Sequence, residues 1–278
     1  MKTLKNTNTI LINGVSLLVA AVFYVIPFVF VLLTASKAPA EAGQFRFSWP
    51  ENAQLFKNLR DVIVFDNGRM LRALLNSSVI TAASVVSIIV LGAMVAVTLQ
   101  RRADRLASLV SSVMLAGLII PPAVVPTVFL LQRLKLFGSL MGMILVNIAF
   151  FIPFSILILR SFVGTIPREL DEAAIVEGAT PLRLFGTVLL PLLQPAIITV
   201  MITSSVNIFN DFVGPLYFLP GMKNVTAPLT LFSFMGQFGS EWNLVFADVV
   251  VVMILPLIAF IFFQRQLISG ITSGAIKG

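Results

Sequence analysis

The amino-acid sequence predicts an all-α, polytopic helical membrane protein with six transmembrane helices. Of its 278 residues, 58% are hydrophobic and only 11% are charged, and the mean hydropathy is +1.01. Water-soluble domains carry about 25% charged residues, so water is not the main solvent of this chain. The apolar residues also form runs of about 20, the length needed to cross a bilayer core about 30 Å thick. We therefore expect a single transmembrane domain over residues 1–278.

The first apolar run covers residues 10–33 and follows Lys2 and Lys5. The apolar stretch of a secretory signal has only about 7–15 residues, so we interpret this run as an uncleaved span. The alternative is a signal peptide cleaved after the small residues 38–40, which would leave five spans. The remaining predicted spans are residues 77–99, 106–131, 140–159, 196–219 and 244–263.

The charged residues predict the orientation of these spans. Residues 36–72 are polar and mixed in charge and include Asn67-Gly68, which indicates an extracytoplasmic loop. The link 100–105 carries three arginines and falls inside when the N-terminus is inside, as the positive-inside rule requires. Residues 160–195 and the C-terminal tail also fall inside. Three cations on the outer side weaken the bias: Arg133, Lys135 and Lys223.

The composition argues against catalysis. The chain has no Cys and no His, which excludes disulfides, thiolate nucleophiles, His-based metal sites and the usual imidazole base. We expect no catalytic residues and no metal site. The net charge of +7 is scattered between apolar runs rather than gathered on one stripe, so membrane topology explains it better than nucleic-acid binding does.

Residues 165–181, between the fourth and fifth spans, are too acidic to lie in lipid. Pro167 suits the first turn of a helix, and Gly178 suits the left-handed residue that follows its end. The positive end of the helix dipole favours the three acidic residues near the start, Glu169, Asp171 and Glu172. We therefore expect a short cytoplasmic helix here.

One face of this helix is dominated by small apolar residues spaced at i, i+3, i+4 and i+7: Leu170, Ala173, Ala174 and Glu177. Thr180 and Pro181 then suit the cap and first turn of a second short helix, ended near Pro191 and Pro195. The alternative is an amphipathic helix in the lipid headgroup layer. Such helices usually carry Lys and Arg, whereas anionic lipid repels these carboxylates. A protein partner with basic residues fits better.

This segment resembles the EAA loop of ABC importer permeases. The motif reads Glu-Ala-Ala, three residues, Gly, nine residues, an aliphatic residue, any residue, then Leu-Pro. The chain meets the spacing in full at Glu172-Ala173-Ala174, Gly178, Val188 and Leu190-Pro191. The last third is also similar to the carbohydrate branch of the family, in Asn210-Asp211-Phe212, Pro215-Leu216, Gln264-Arg265 and residues 274–278.

The resemblance implies a MetI-like, maltose-type permease of a prokaryotic inner membrane, with both termini in the cytoplasm. It implies four kinds of partner: a second permease subunit, two ATPase subunits, an extracellular solute-binding protein and a sugar. The chain itself would bind no cofactor, and the ATPase would use ATP and Mg, since the chain lacks the Gly-xxxx-Gly-Lys-Ser/Thr phosphate loop. The resemblance assigns ATPase coupling to residues of the loop 165–195: Glu172, Ala173, Ala174, Gly178, Leu190 and Pro191.

The fifth span has a polar face. Thr203, Asn207 and Asp211 recur every four residues, and Asn210 lies beside them. An intramembrane carboxylate should face the bundle interior or a water-filled cavity, which a sugar path would supply. Two alternatives stay open: these groups hydrogen-bond between helices, or Asp211 lies at the outer end, where Gly214 and Pro215 break the helix.

Other features have weaker functional assignments. Five phenylalanines offer flat faces for sugar rings, but ordinary packing explains them better because aromatic residues are abundant throughout the chain: Phe150, Phe151, Phe154, Phe209 and Phe212. Pro220–Pro228 stands where maltose-type permeases insert a loop into the binding protein. We assign no role to Asp248.

The alternative functions are an ABC permease for glycerol phosphate, phosphate or amino acids, and a stand-alone secondary transporter. A phosphate path would carry Arg or Lys, yet the predicted span interiors are almost free of basic residues. This favours a neutral sugar, and we expect an oligosaccharide. A secondary transporter usually shows paired halves and a relay of titratable groups, and neither pattern occurs in the sequence.

Overall fold

The structure is a computed structural model that describes residues 2–102, 104–221, 223–236 and 239–275. Almost all of these residues are helical, which confirms the predicted all-α class. In chain order the elements are α1 (Lys2–Ala35), α2 (Pro39–Ala42), α3 (Leu55–Arg101), α4 (Arg105–Ile119), α5 (Val124–Arg133), α6 (Leu140–Val163), α7 (Glu169–Val176), α8 (Pro181–Arg183), a π-helical segment (Leu184–Leu189), α9 (Leu190–Leu192), α10 (Gln194–Phe209), α11 (Val213–Phe218), a 3₁₀ helix (Ala227–Phe234) and α12 (Trp242–Ala275).

Four helices in the described part of the chain are long and apolar enough to cross a membrane. They lie at Asn13–Ala35, Leu55–Arg101, Leu140–Val163 and Trp242–Phe262. Two bent helix pairs raise this number to six when each pair counts as one span. The predicted third span, residues 106–131, corresponds to the first bent pair, whereas the predicted fifth span, residues 196–219, begins after the bend at Leu193 in the second pair.

Two adjacent prolines break the predicted third span, residues 106–131. Helix α4 ends at Ile119, and the axis turns by 116° before α5 begins at Val124. Ile120 has an extended backbone, as expected for a residue before Pro121, because the proline ring disfavours the helical conformation of its predecessor. Pro122 follows directly and has no N–H to continue the helix.

The predicted fifth span, residues 196–219, also divides. Helix α10 ends at Phe209 and the short α11 starts at Val213. A straight helix through this point would need an N–H at Pro215 for the carbonyl of Asp211, and the proline ring would clash with that carbonyl. The chain therefore leaves the helix around Asn210 and starts a new turn.

The predicted extracytoplasmic loop 36–72 contains more helix than the sequence indicated. It includes α2, and α3 already begins at Leu55. The break comes at Asp66, Asn67 and Gly68, which all have positive φ. Asn and Gly tolerate this left-handed conformation, so the Asn67-Gly68 pair marks a kink between two helical stretches rather than the middle of a long loop.

The chain divides into two compact units. One contains Met1–Leu71 and Thr230–Leu255, and the other contains Arg72–Leu229 and Pro256–Gly278. In the second unit α4, α10 and α11 pack against α6, and α11 also contacts α5. Its core includes Ile88, Leu159, Val163, Leu193 and Val200, all almost fully buried.

The first unit leaves much of its apolar helix surface uncovered. Leu17, Phe23 and Tyr24 of α1 are each more than 70% exposed. Apolar exposure on this scale is incompatible with water and is expected for a helix whose solvent is lipid or a partner subunit.

Candidate functional site

The acidic segment between the fourth and fifth predicted spans forms the helix α7. Its first turn holds Glu169, Asp171 and Glu172, whose carboxylates complement the positive end of the helix dipole. Pro167 lies two residues before the helix rather than in its first turn. The helix ends at Val176, and Gly178 takes the left-handed conformation, with φ +82°.

Backbone hydrogen bonds close the C-terminal end of α7. The N–H of Gly178 donates to the carbonyl of Ile175, and that of Ala179 donates to the carbonyl of Ala174, both at 2.9 Å. The left-handed residue makes this reversal possible. The chain then enters α8, where the Thr180 hydroxyl accepts from the N–H of Arg183 and Pro181 occupies the first turn, as the sequence predicted.

The surface of α7 differs from the predicted docking face. Ala174 packs against the π-helical segment and the rest of its own unit, so this residue is unavailable to a partner. Glu172 and Ala173 are exposed, as is Glu177. Large apolar side chains add to this surface: Val176 is 89% exposed and Leu182 is 73% exposed.

The second half of the EAA loop anchors this surface to the second unit. Leu189 and Leu193 are buried, with 1% and 0% of their surface exposed. Leu190 is half-buried between them and Pro191 is exposed. The sequence predicted an end near Pro191 and Pro195, and the helix axis bends by 76° at Leu193, between these prolines, before α10 begins. The predicted coupling residues therefore lie on one continuous, anchored segment.

The predicted polar face of α10 is present but is not enclosed by this chain. Asn207 and Asn210 are exposed, and Thr203 is half-buried. Each asparagine amide donates to a backbone carbonyl one turn earlier, at 2.8 Å for Asn207 and 2.9 Å for Asn210. The amide oxygen of an asparagine is an acceptor as well, and both side chains are exposed to a ligand or a neighbouring subunit.

Asp211 lies at the break between α10 and α11. Its Oδ1 accepts a hydrogen bond of 3.1 Å from the N–H of Gly214, which caps the first turn of α11. A side chain at Gly214 would collide with this carboxylate and with Met143, because a Cβ there would come within 2.3 Å of Asp211 Oδ2. The structure thus gives Asp211 a capping role in addition to any role in a path.

The structure also locates one of the predicted phenylalanines and the segment Pro220–Pro228. Phe209 is buried in the second unit, so its ring cannot stack on a sugar.

The segment Pro220–Pro228 folds onto its own unit: the Asn224 amide donates to the carbonyl of Gly138, and that of Asn76 donates to the carbonyl of Val225. This segment is therefore not a freely projecting loop. Residues 276–278 of the predicted C-terminal motif lie outside the described residues.

The sequence did not reveal a buried polar network in the first unit. Asn58 donates to the carbonyls of Ala35 and Lys37, and Asn243 donates to Asn58 at 3.0 Å. The Lys37 ammonium is buried and donates to the carbonyl of Arg46 at 2.6 Å. Isolated polar residues in a polar stretch carry no periodic signal, so only the folded chain shows that they meet.

Asp248, to which the sequence analysis assigned no role, is also buried in the first unit. One carboxylate oxygen accepts a hydrogen bond of 3.0 Å from the hydroxyl of Thr230. This contact ties α12 to the 3₁₀ helix.

In the link after α3, the backbone N–H of Ala107 donates to Asp104 and lowers the pKa of that carboxyl below its ordinary value. Asp104 thereby caps α4.

Comparison with known proteins adds a family to this geometry. Residues 88–272, more than half of the chain, match the family described as binding-protein-dependent transport system inner membrane component. The chain is 32% identical to a putative ABC transporter permease of Caldicellulosiruptor sp. (strain Rt8B.4), over 91% of this chain and 92% of that protein. It is 30% identical to a melibiose/raffinose/stachyose import permease of Bacillus subtilis (strain 168), over 94% of each chain.

The fold also resembles a solved structure. A chain in the crystal structure of a bacterial ABC transporter involved in import of the acidic polysaccharide alginate superposes with a TM-score of 0.81. The similarity covers 94% of this chain and 97% of that one at 18% identity. At this identity the likeness concerns the fold alone.

Proposed function

We propose, on the premise that this chain belongs to the family of inner-membrane components of binding-protein-dependent transport systems, that it is the permease subunit of an ATP-driven sugar importer. It is a transport component and not an enzyme. The name of the Bacillus subtilis relative specifies melibiose, raffinose and stachyose, which supports a neutral oligosaccharide as the substrate class. The substrate would arrive on the solute-binding protein that the family description requires.

The polar face of α10 is our candidate for the wall of the sugar path. Thr203 and Asn207 lie in α10, Asn210 and Asp211 follow its end, and α10 itself contains no Lys or Arg. Exposed amides suit sugar hydroxyls, which both donate and accept hydrogen bonds. Because this chain leaves that face uncovered, a companion permease would supply the opposite wall and complete a heterodimer.

The exposed surface of α7 is our candidate for the contact that couples this chain to the ATPase. Val176 and Leu182 expose large apolar side chains on a segment that also exposes Glu172 and Glu177. Burying the carboxylates in lipid costs free energy, and so does exposing the apolar side chains to water. A protein partner that contacts both groups is therefore the best explanation of this surface. We assign this surface to one of two ATPase subunits, which would bind ATP and Mg.

This assignment sets an orientation. If the ATPase meets α7, residues 165–195 lie in the cytoplasm, as does the N-terminus when the four predicted spans that precede this segment are counted back. Residues 36–72 and Pro220–Pro228 then lie outside, and Pro220–Pro228 is our candidate contact for the solute-binding protein. The C-terminal tail follows α12 back into the cytoplasm.

Replacement of Glu172 by Lys tests the coupling proposal. We expect sugar uptake and sugar-stimulated ATP hydrolysis to fall about tenfold or more in the reconstituted complex, because a coupling free energy of about 1.4 kcal/mol corresponds to that factor. Pull-down from the membrane reports ATPase association separately. Glu172→Gln removes the charge without reversing it and should have a smaller effect.

The matched control is Glu51→Lys, which makes the same charge reversal at an exposed position of the first unit. Uptake should remain normal in this variant. Sugar uptake by the chain alone, without an ATPase and unaffected by Glu172→Lys, would contradict the proposed function and restore the secondary transporter.

A further inference from the structure

Asp171, next to Glu172 in the first turn of α7, faces its own chain rather than a partner. The Nε of Arg101, in the last turn of α3, lies 2.7 Å from Oδ2 of Asp171. The Nη2 of Arg101 donates to Oδ1 at 3.2 Å. Both terminal nitrogens also donate to the carbonyl of Ile166 at 3.3 Å. One guanidinium thus holds both the entry to α7 and its first turn.

The Arg101–Asp171 ion pair is partly buried, whereas the adjacent ion pair, Arg102–Asp104, is exposed. The side chains of Arg101 and Asp171 are 17% and 15% exposed, whereas those of the adjacent pair, Arg102 and Asp104, are 57% and 43% exposed. Exposed pairs contribute little because water and salt screen them. A partly buried pair resists separation, because breaking it leaves a charge without a partner in a poorly hydrated place.

The last turn of α3 also makes a hydrogen bond to α6. The Nε of Arg160, near the end of α6, donates to Gln100 at 3.0 Å. The Nη1 of Arg160 donates to the hydroxyl of Ser111 in α4 at 2.6 Å. Gln100 and Arg101 are consecutive. At the end of α3, Arg101 therefore contacts α7, while Gln100 contacts Arg160 of α6, which in turn reaches Ser111 of α4.

We propose that the Arg101–Asp171 pair is the positioning link that transmits displacement of α7 to α3, and through Gln100 and Arg160 to α6 and α4. The proposal rests on the proposed function, because it takes α7 as the surface that the ATPase moves. A push on α7 displaces α3 only if the two helices move as one body. A flexible loop from Val163 to Glu169 would absorb the motion, whereas the guanidinium fixes that loop through Ile166.

Arginine suits this position better than lysine does. The planar guanidinium presents several donors at fixed angles, so it can hold the carboxylate and the Ile166 carbonyl together. A lysine ammonium could satisfy the charge of Asp171 but would not fix both groups in one geometry. The link therefore depends on shape as well as charge.

The test uses the complete transporter: this chain, the companion permease, the ATPase subunits and the binding protein loaded with melibiose or raffinose. The measured quantity is the ratio of stimulated to basal ATP hydrolysis, together with uptake into proteoliposomes. For Arg101→Gln we expect this ratio to fall about fivefold or more, the lower end of typical coupling energies, while the ATPase still co-purifies with the membrane subunits. Asp171→Asn should behave in the same way.

Two further variants separate a positioning role from general damage. The charge swap Arg101→Asp with Asp171→Arg should recover a substantial part of the ratio, because the ion pair is rebuilt with its ends exchanged. Arg102→Gln, which removes the neighbouring exposed arginine, should leave the ratio unchanged. If Arg101→Gln alone prevents assembly, the charge swap supplies the decisive measurement.

Each outcome decides between the proposals. Full stimulation in Arg101→Gln, or an assembled charge swap no better than the single variants, overturns the positioning link. Normal Arg101→Gln together with a defective Glu172→Lys leaves the proposed function intact and rejects only the link. If the wild-type chain recruits no ATPase, the proposed function itself fails.

Discussion

At the scale of single residues, Asp211 has two candidate roles that one pair of variants separates. Asparagine caps a helix about as well as aspartate does, so Asp211→Asn removes the charge but keeps the cap on α11. Alanine removes both. We expect Asp211→Asn to retain most of its sugar uptake and Asp211→Ala to lose about 1 kcal/mol of stability, measured as a lower thermal midpoint in detergent.

Strong loss of uptake in Asp211→Asn at an unchanged thermal midpoint would contradict this expectation. In that case the carboxylate charge itself would take part in the path.

At the scale of secondary-structure elements, Gly178 determines how the chain leaves α7. Its φ of +82° is unfavourable for any residue with a Cβ. We expect Gly178→Ala to cost about 1 kcal/mol, either as lower stability or as a shifted α7 with weaker coupling. Thermal unfolding and the ratio of stimulated to basal ATP hydrolysis measure the two effects.

Gly186 provides the control for this substitution. It lies in the π-helical segment with no positive φ and with open space around the position of an added Cβ. Gly186→Ala should therefore be neutral or slightly stabilising. Equal behaviour of the two alanine variants would mean that the left-handed turn at Gly178 does not determine the position of α7.

At the scale of the whole molecule, the orientation in the membrane can be measured directly because the chain contains no cysteine. Single cysteines at the exposed positions Glu51, Glu177 and Lys223 give three reporters without background. In spheroplasts a membrane-impermeant maleimide should label the cysteines at 51 and 223. The cysteine at 177 should react only after the membrane is opened.

Labelling of Glu177→Cys in sealed spheroplasts would place α7 on the outside and exclude contact with a cytoplasmic ATPase. A cysteine at Thr165, at the other end of the same loop and also exposed, should always agree with position 177. Disagreement between the two would mean that the segment between them crosses the membrane.

The sequence by itself determined the class of this protein, since composition and the length of apolar runs decide whether a chain belongs in water or lipid. It also located α7 and its left-handed end, because acidic residues near a helix start and a glycine after its end act over a few bonds. The EAA spacing indicated the family for the same reason: the motif lies within one short stretch of chain.

Only the tertiary structure decided where the spans bend and which polar groups meet. The prolines at 121 and 122 were visible in the sequence, but the 116° turn depends on how α4 and α5 pack after the break. Arg101 and Asp171 are 70 residues apart, and Asn58 and Asn243 are 185 apart. No local pattern encodes such pairs, because their contact follows from the packing of whole helices rather than from the periodicity of any one of them.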